Sequence, residues 1–203
     1  MPADYPSLLR QLDDWFNDGV ANSGGAVPCR AGCTACCHGP FDISAADARL
    51  VASAIAESPG EIRDGIVMRA RAQLAAGQVV DRQWQHPWRV DQLGDESFDR
   101  IADAQAGDPC PALDPVSGAC LIHHARPATC RLTGLALATP EGDVLENICP
   151  IRHQFPDYDG LDPTPFDLMR FETAAAEHDL AAMEAGWHST TIAGAVVLGS
   201  SES

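Results

Sequence analysis

The sequence predicts a mainly α-helical protein with one small β-hairpin or sheet, an α+β class, and three observations indicate it. Apolar residues recur at helical spacing in several segments. Only one pair of segments has the composition of two strands joined by a tight turn. Apolar residues make up 45% of the 203-residue chain and charged residues 21%, the balance of a soluble globular protein. One core suits this length, so we predict a single domain over residues 1–203.

The predicted helices of the first half can be justified in chain order. Apolar residues at helical spacing predict a first helix from Tyr5 to Val20; they are Leu8, Leu9, Leu12, Trp15 and Phe16. Ser44 is a good N-cap for a helix over residues 45–56. A third helix is expected to run from about residue 58 to 76, and a short fourth one over residues 95–104.

The second half contains the only firm strand signal. Residues 132–139 and 144–148, separated by the turn formers Pro140-Glu-Gly-Asp143, predict a β-hairpin. A last amphipathic helix is expected from Thr164 to Ala185. Its predicted core contacts are Phe166, Met169, Phe171 and Leu180. A Gly- and Ser-rich tail is expected to follow.

Charge excludes several classes of function. The formal net charge is -16, and all basic residues are Arg because the chain contains no Lys. An anion of this size is repelled by nucleic acid and by anionic membrane surfaces, so we expect neither as a partner. Without Lys there is no P-loop lysine, Schiff-base lysine or Ser-Lys dyad.

Eight cysteines are the main chemical signal. The N-terminal residues lack the basic and apolar regions of a signal peptide, so we expect a cytoplasmic protein without a membrane segment. Cysteines in that compartment stay reduced, and clustered cysteines there indicate metal binding or catalysis in preference to disulfides.

Four of these cysteines form a knuckle, the segment from Cys29 to Cys37. It reads Cys29-Arg-Ala-Gly-Cys33-Thr-Ala-Cys36-Cys37, and Gly32 allows the backbone to curve tightly. Thiolates this close repel one another unless a cation neutralises them. The knuckle therefore predicts a metal site.

The other four cysteines lie downstream, at Cys110, Cys120, Cys130 and Cys149. Cys110 and Cys149 each precede Pro. Cys130 lies in the sequence Arg126-Pro127-Ala-Thr-Cys130-Arg131. With the knuckle, this arrangement resembles the YkgJ-like family, whose pattern is a CxxxCxxCC knuckle followed by Cys-Pro, Cys, Arg-Pro-x-x-Cys-Arg and a late Cys. The resemblance spans residues 29–149 and implies zinc or iron binding by all eight cysteines. It does not supply a reaction.

The identity of the metal is left open between two predictions. Three cysteines spaced as Cys29, Cys33 and Cys36, with a distant fourth, can hold an iron-sulfur cluster of the 4Fe-4S type, or another iron centre. Structural zinc usually takes paired CxxC hooks, and this chain has one, but zinc remains the alternative. Adjacent side chains diverge, so Cys36 and Cys37 are expected to serve different sites, and eight cysteines divide naturally into two groups of four.

Arg126 and Arg131 are candidate cofactor-binding residues because they lie beside cysteines in an acidic chain. They are expected to offset thiolate charge, or to bind an anionic small molecule. His123 or His124 could ligate metal. Two functions follow: a metal-centre protein acting as scaffold, carrier or electron-transfer module, and an enzyme whose metal acts on substrate. Metal ions are the expected ligands, and the sequence indicates no particular protein partner.

Overall fold

The computed structural model describes residues 4–30, 32–147 and 149–200, which form seven α-helices and two small β-sheets. The predicted class, mainly α with a small sheet, is confirmed. Contacts divide the chain into two units. Unit 1 comprises Met1–Cys36 and Ala128–His178, and unit 2 comprises Cys37–Pro127 and Asp179–Ser203. The division passes between the two adjacent cysteines of the knuckle.

Unit 1 begins with helix α1 (Tyr5–Asn22), which packs against the short helix α5 (Ala128–Leu132). The Asp4 carboxylate caps α1 by accepting a hydrogen bond from the Ser7 backbone N–H at 2.7 Å. Apolar residues at the predicted helical spacing are buried along one face of α1; they are Leu8, Leu9, Leu12 and Trp15. The first predicted helix is therefore present, and two residues longer than expected.

The predicted hairpin forms two of the three strands of a small sheet in unit 1. Strand β2 (Leu135–Ala138) pairs antiparallel with β3 (Val144–Asn147) and parallel with the two-residue β4 (Thr164–Pro165). Ile148, where the second strand was expected to end, lies outside the described residues. The fully buried Leu137 belongs to a core cluster that also contains Trp15, Val27 and Leu135.

Unit 2 is built mainly from helices α2 (Ala45–Glu57), α3 (Gly60–Val80) and α7 (Ile192–Ser200). Helix α7 packs against both α2 and α3, and its Gly194 leaves room for the neighbouring Thr190 and Trp88. Ser44 caps α2 as predicted, its hydroxyl accepting from the Asp47 backbone N–H at 3.2 Å.

Unit 2 also contains a further short helix and a two-stranded sheet. Helix α4 (Asp95–Ala104) has the predicted bounds and packs against α3. Strands β1 (Asp42–Ile43) and β5 (Thr190–Thr191) pair antiparallel. Trp84, in the segment between α3 and α4, is buried against Trp88 and Phe98.

Two features of the C-terminal part differ from the prediction. Residues 192–200 form the buried helix α7, where a Gly- and Ser-rich tail was expected. Helix α6 (Leu168–Glu184) starts later than predicted because Thr164 pairs in β4. Met169 is 65% exposed and Leu180 60% exposed, so their assignment as core contacts is wrong.

No helix within the described residues combines the length and the apolar character that a membrane-crossing segment needs.

Candidate metal centre

The knuckle folds back on itself through a reverse turn. The Cys33 backbone N–H donates to the Arg30 carbonyl at 3.0 Å, and Gly32 has a φ of +82°. This left-handed conformation costs a glycine little and a residue with a Cβ considerably more. The turn curves the backbone tightly between Arg30 and Cys33, where Gly32 was expected to allow this.

Cys29 packs at the edge of the core of unit 1, beside the turn that joins α5 to β2. A Cβ atom at Gly134 would lie 3.0 Å from the Cys29 Sγ and 3.2 Å from Phe16. Gly134 also has a φ of +119°, so both its conformation and its surroundings favour glycine. The backbone at Gly134 therefore approaches the Cys29 thiol closely.

Cys149 is fixed beside the same glycine by a buried tyrosine. The Cys149 backbone N–H donates to the Tyr158 hydroxyl at 3.0 Å, and that hydroxyl donates to the Gly134 carbonyl at 2.8 Å. Cys149 is 3% exposed and Tyr158 is 5% exposed. Cys149, 120 positions after Cys29 in the sequence, is thus held close to the Gly134 backbone, which also approaches the Cys29 thiol.

Electrostatic interactions connect these cysteines with the rest of the knuckle. Burial raises the pKa of the Cys149 thiol, and nearby Cys33 and Cys36 raise that pKa further. Burial also raises the pKa of the Tyr158 hydroxyl, with additional contributions from Cys149 and Cys29. The Cys33 and Cys36 thiols therefore lie close enough to Cys149 to disfavour its charged form, and Cys29 lies close to the Tyr158 hydroxyl.

The other four cysteines are divided between the two units. Cys130 is in unit 1, on helix α5. Cys37, Cys110 and Cys120 are in unit 2. The structure therefore distributes the cysteines five and three between the units, where the sequence suggested two groups of four. All eight are thiols.

A family model described as "CxxCxxCC: Putative zinc- or iron-chelating domain" matches residues 28–150, more than half of the chain. The protein belongs to this CxxCxxCC family. The resemblance predicted from the cysteine spacing is thereby confirmed, and the protein belongs to a metal-chelating class. No curated protein and no solved structure matches the chain.

The donor chemistry of unit 1 fits the metals of the CxxCxxCC family. Among the described residues, no group of three or more Cys, His, Asp or Glu side chains is already arranged as a metal cage. Metal binding releases the protons of the ligand thiols and is coupled to folding. The thiols of Cys29, Cys33, Cys36 and Cys149 are soft donors suited to iron or zinc. Tyr158 and Gly134 position the backbone near two of these thiols, Cys149 and Cys29.

The two candidate cofactor-binding arginines lie in different units. Arg131, on α5 in unit 1, is 5% exposed and forms an ion pair with Asp13 on α1. Arg126, in unit 2, follows a short 3-10 helix at His123–Ala125, and its Nε atom is buried. Asp13 already compensates part of the charge of Arg131. Anion binding by either arginine stays a prediction.

Sequence reasoning missed three residues that position the site. Tyr158 lies in the short 3-10 helix Tyr158–Gly160. Gly134 falls inside the predicted hairpin, and Asp13 reads as a surface residue of α1. Their roles depend on contacts between distant parts of the chain. No local sequence pattern indicates such contacts.

Proposed function

We propose that unit 1 binds an iron-sulfur cluster of the 4Fe-4S type and serves as a one-electron redox centre. Its ligands are Cys29, Cys33, Cys36 and Cys149. The observation that carries the proposal is the position of Cys149, a late cysteine that interacts electrostatically with Cys33 and Cys36. A knuckle of three cysteines and one distant cysteine followed by Pro is the ligand arrangement of many such clusters.

The surroundings of the four thiols support a redox centre. Cys29 packs against the core cluster of Trp15, Val27 and Leu135, and Cys149 is buried. Burial and hydrogen bonding around the sulfur ligands set the reduction potential of such a centre. Cys36, in contrast, is exposed. The ligand set therefore has a shielded side and one solvent-facing corner through which an electron partner could approach.

The residues around the ligands act by orienting them. Tyr158 holds the Cys149 backbone through its hydroxyl, and the turn at Gly32 fixes the backbone of Cys33. When bound, an iron-sulfur cluster accepts and releases single electrons, a reaction that no side chain of this protein performs alone. Structural zinc on the same cysteines is the alternative, because the family description names both metals.

Visible absorption tests the proposed ligands. Protein purified without oxygen is expected to be brown, because iron bonded to sulfur absorbs visible light and zinc does not. Cys33→Ser is expected to remove most of this absorption. Cys110→Ser, in unit 2, is the matched control and should keep the absorption of the wild type. Equal colour in wild type and Cys33→Ser would contradict the assignment.

A further inference from the structure

Two cysteines of unit 2 face each other across a short antiparallel ladder. His38 pairs with Pro109, the Gly39 N–H donates to the Asp108 carbonyl at 2.8 Å, and the Cys110 N–H donates to the Cys37 carbonyl at 2.9 Å. Cys37 and Cys110 are therefore directly opposite residues. Side chains at such positions lie on the same face of the ladder, with Cβ atoms about 5 Å apart.

A second ladder brings Cys120, the third cysteine of unit 2, close to Cys110. The Leu113 N–H donates to the Cys110 carbonyl at 2.9 Å, which closes a tight turn, and Leu113 then pairs with Cys120. The Leu121 N–H completes this pairing by donating to the Ala112 carbonyl at 2.8 Å. Cys120 accordingly interacts electrostatically with the Cys110 thiol.

The loop that carries Cys110 is anchored to helix α3. The Arg69 Nε atom donates to the Pro111 carbonyl at 2.9 Å, and the Arg69 charge favours the thiolate of Cys110. Burial acts more strongly in the opposite direction and raises the pKa of the Cys110 thiol to about 11. Arg69 therefore fixes the loop of Cys110 on α3.

A nitrogen donor follows Cys120 at the spacing of a chelating pair. His123 comes three positions after Cys120 and begins the 3-10 helix His123–Ala125, which packs against α2. His38 is less suitable, since alternation along the ladder directs its side chain to the face opposite Cys37 and Cys110. His124 is the neighbour of His123 and provides a natural comparison.

We propose that Cys37, Cys110, Cys120 and His123 form a second metal site, contained within unit 2, that binds zinc. Three thiolates and one imidazole are an ordinary ligand set of structural zinc. Two ladders and a turn fix the backbone around this site. Such a site suits a structural metal that holds loops together. The inference does not depend on the metal bound in unit 1.

Zinc titration of anaerobically purified protein, in competition with a chromophoric chelator, tests the second site. Cys110→Ser and Cys120→Ser are expected to weaken zinc binding at this site by at least about 100-fold, because four ligands share the binding free energy. Iron content and visible colour should be unchanged in both variants. His123→Ala should weaken zinc binding by at least about 10-fold, whereas the matched control His124→Ala should not. Equal affinities of His123→Ala and His124→Ala would overturn the role of His123.

X-ray absorption at the zinc edge of the wild-type protein provides a readout that does not rely on folded variants. Three sulfur ligands at about 2.3 Å and one nitrogen at about 2.0 Å are expected. A wild-type protein that binds no zinc, or zinc affinity retained in Cys110→Ser, would overturn the proposal. If zinc also occupies unit 1, Cys33→Ser loses that ion and Cys110→Ser loses the other. Failure of one site is therefore distinguishable from failure of the other.

Discussion

Cys149→Ser is expected to lose bound iron and to unfold at much lower denaturant concentration than the wild type. Metal binding of order 10 kcal/mol is coupled to folding in small thiolate sites, and removing one ligand forfeits several kcal/mol of that free energy. Cys149 is buried beside Cys33 and Cys36, so no solvent-exposed group replaces it readily. Urea unfolding monitored by circular dichroism, with iron analysis of each sample, measures both effects.

Tyr158→Phe distinguishes the loss of a metal ligand from the loss of the contacts that position Cys149. The substitution keeps all four thiols but removes the hydroxyl that accepts from Cys149 and donates to Gly134. Leaving these buried groups unsatisfied costs about 1–3 kcal/mol. Iron should still bind in Tyr158→Phe. If Cys149→Ser kept its iron and matched the stability of Tyr158→Phe, Cys149 would not be a ligand.

Arg131→Met is expected to lower the free energy of unfolding by about 3 kcal/mol, the lower end of the range for breaking a buried ion pair. Arg131 is almost fully buried, whereas the side chain of its partner Asp13 is 30% exposed, so water can solvate part of the remaining charge. The loss should appear as a lower urea midpoint with an unchanged slope.

A solvent-exposed ion pair of the same unit serves as the control for Arg131. Arg152 and Asp159 lie 3.6 Å apart with side chains 41% and 67% exposed, and Arg152→Met should cost less than about 1 kcal/mol. Replacing both buried charges, in Arg131→Met with Asp13→Leu, should recover much of the stability. Similar losses in Arg131→Met and Arg152→Met would show that burial does not strengthen the Asp13 pair.

The helices that could be predicted are those with a polar face or a local cap. Ser44 marks the start of α2, and the spacing from Leu8 to Trp15 marks α1. Helix α7 escaped prediction because it is apolar all round: a segment buried between α2 and α3 needs no polar face, and so has no period. Its glycines, which read as tail composition, allow neighbouring groups to approach closely.

Helix α6 shows the limit of apolar periodicity. Phe171 and Ala182 are buried, while Met169 and Leu180 face solvent. An apolar residue at the right spacing indicates a helix, but which apolar residues meet a partner depends on the elements packed beside it. Exposure of single apolar side chains is normal on protein surfaces.

Candidate ligands could be predicted from the sequence, but their grouping could not. Cysteine spacing predicts that the knuckle binds metal, because thiolates need a cation. Only the folded chain brings Cys149 beside Cys33, and Cys110 opposite Cys37. The residues that hold these loops, Tyr158 and Arg69, act through contacts far apart in sequence. That all 203 residues form one domain stays a prediction.

Iron, acid-labile sulfide and zinc, measured together per chain, test the central claim most directly. The sample is the wild-type protein purified without oxygen from iron-replete cells. The proposed 4Fe-4S cluster in unit 1 predicts about four iron and about four sulfide per chain, and the second site predicts about one zinc. Colourless protein with stoichiometric zinc and without sulfide would contradict the cluster and leave the cysteines as ligands of structural zinc.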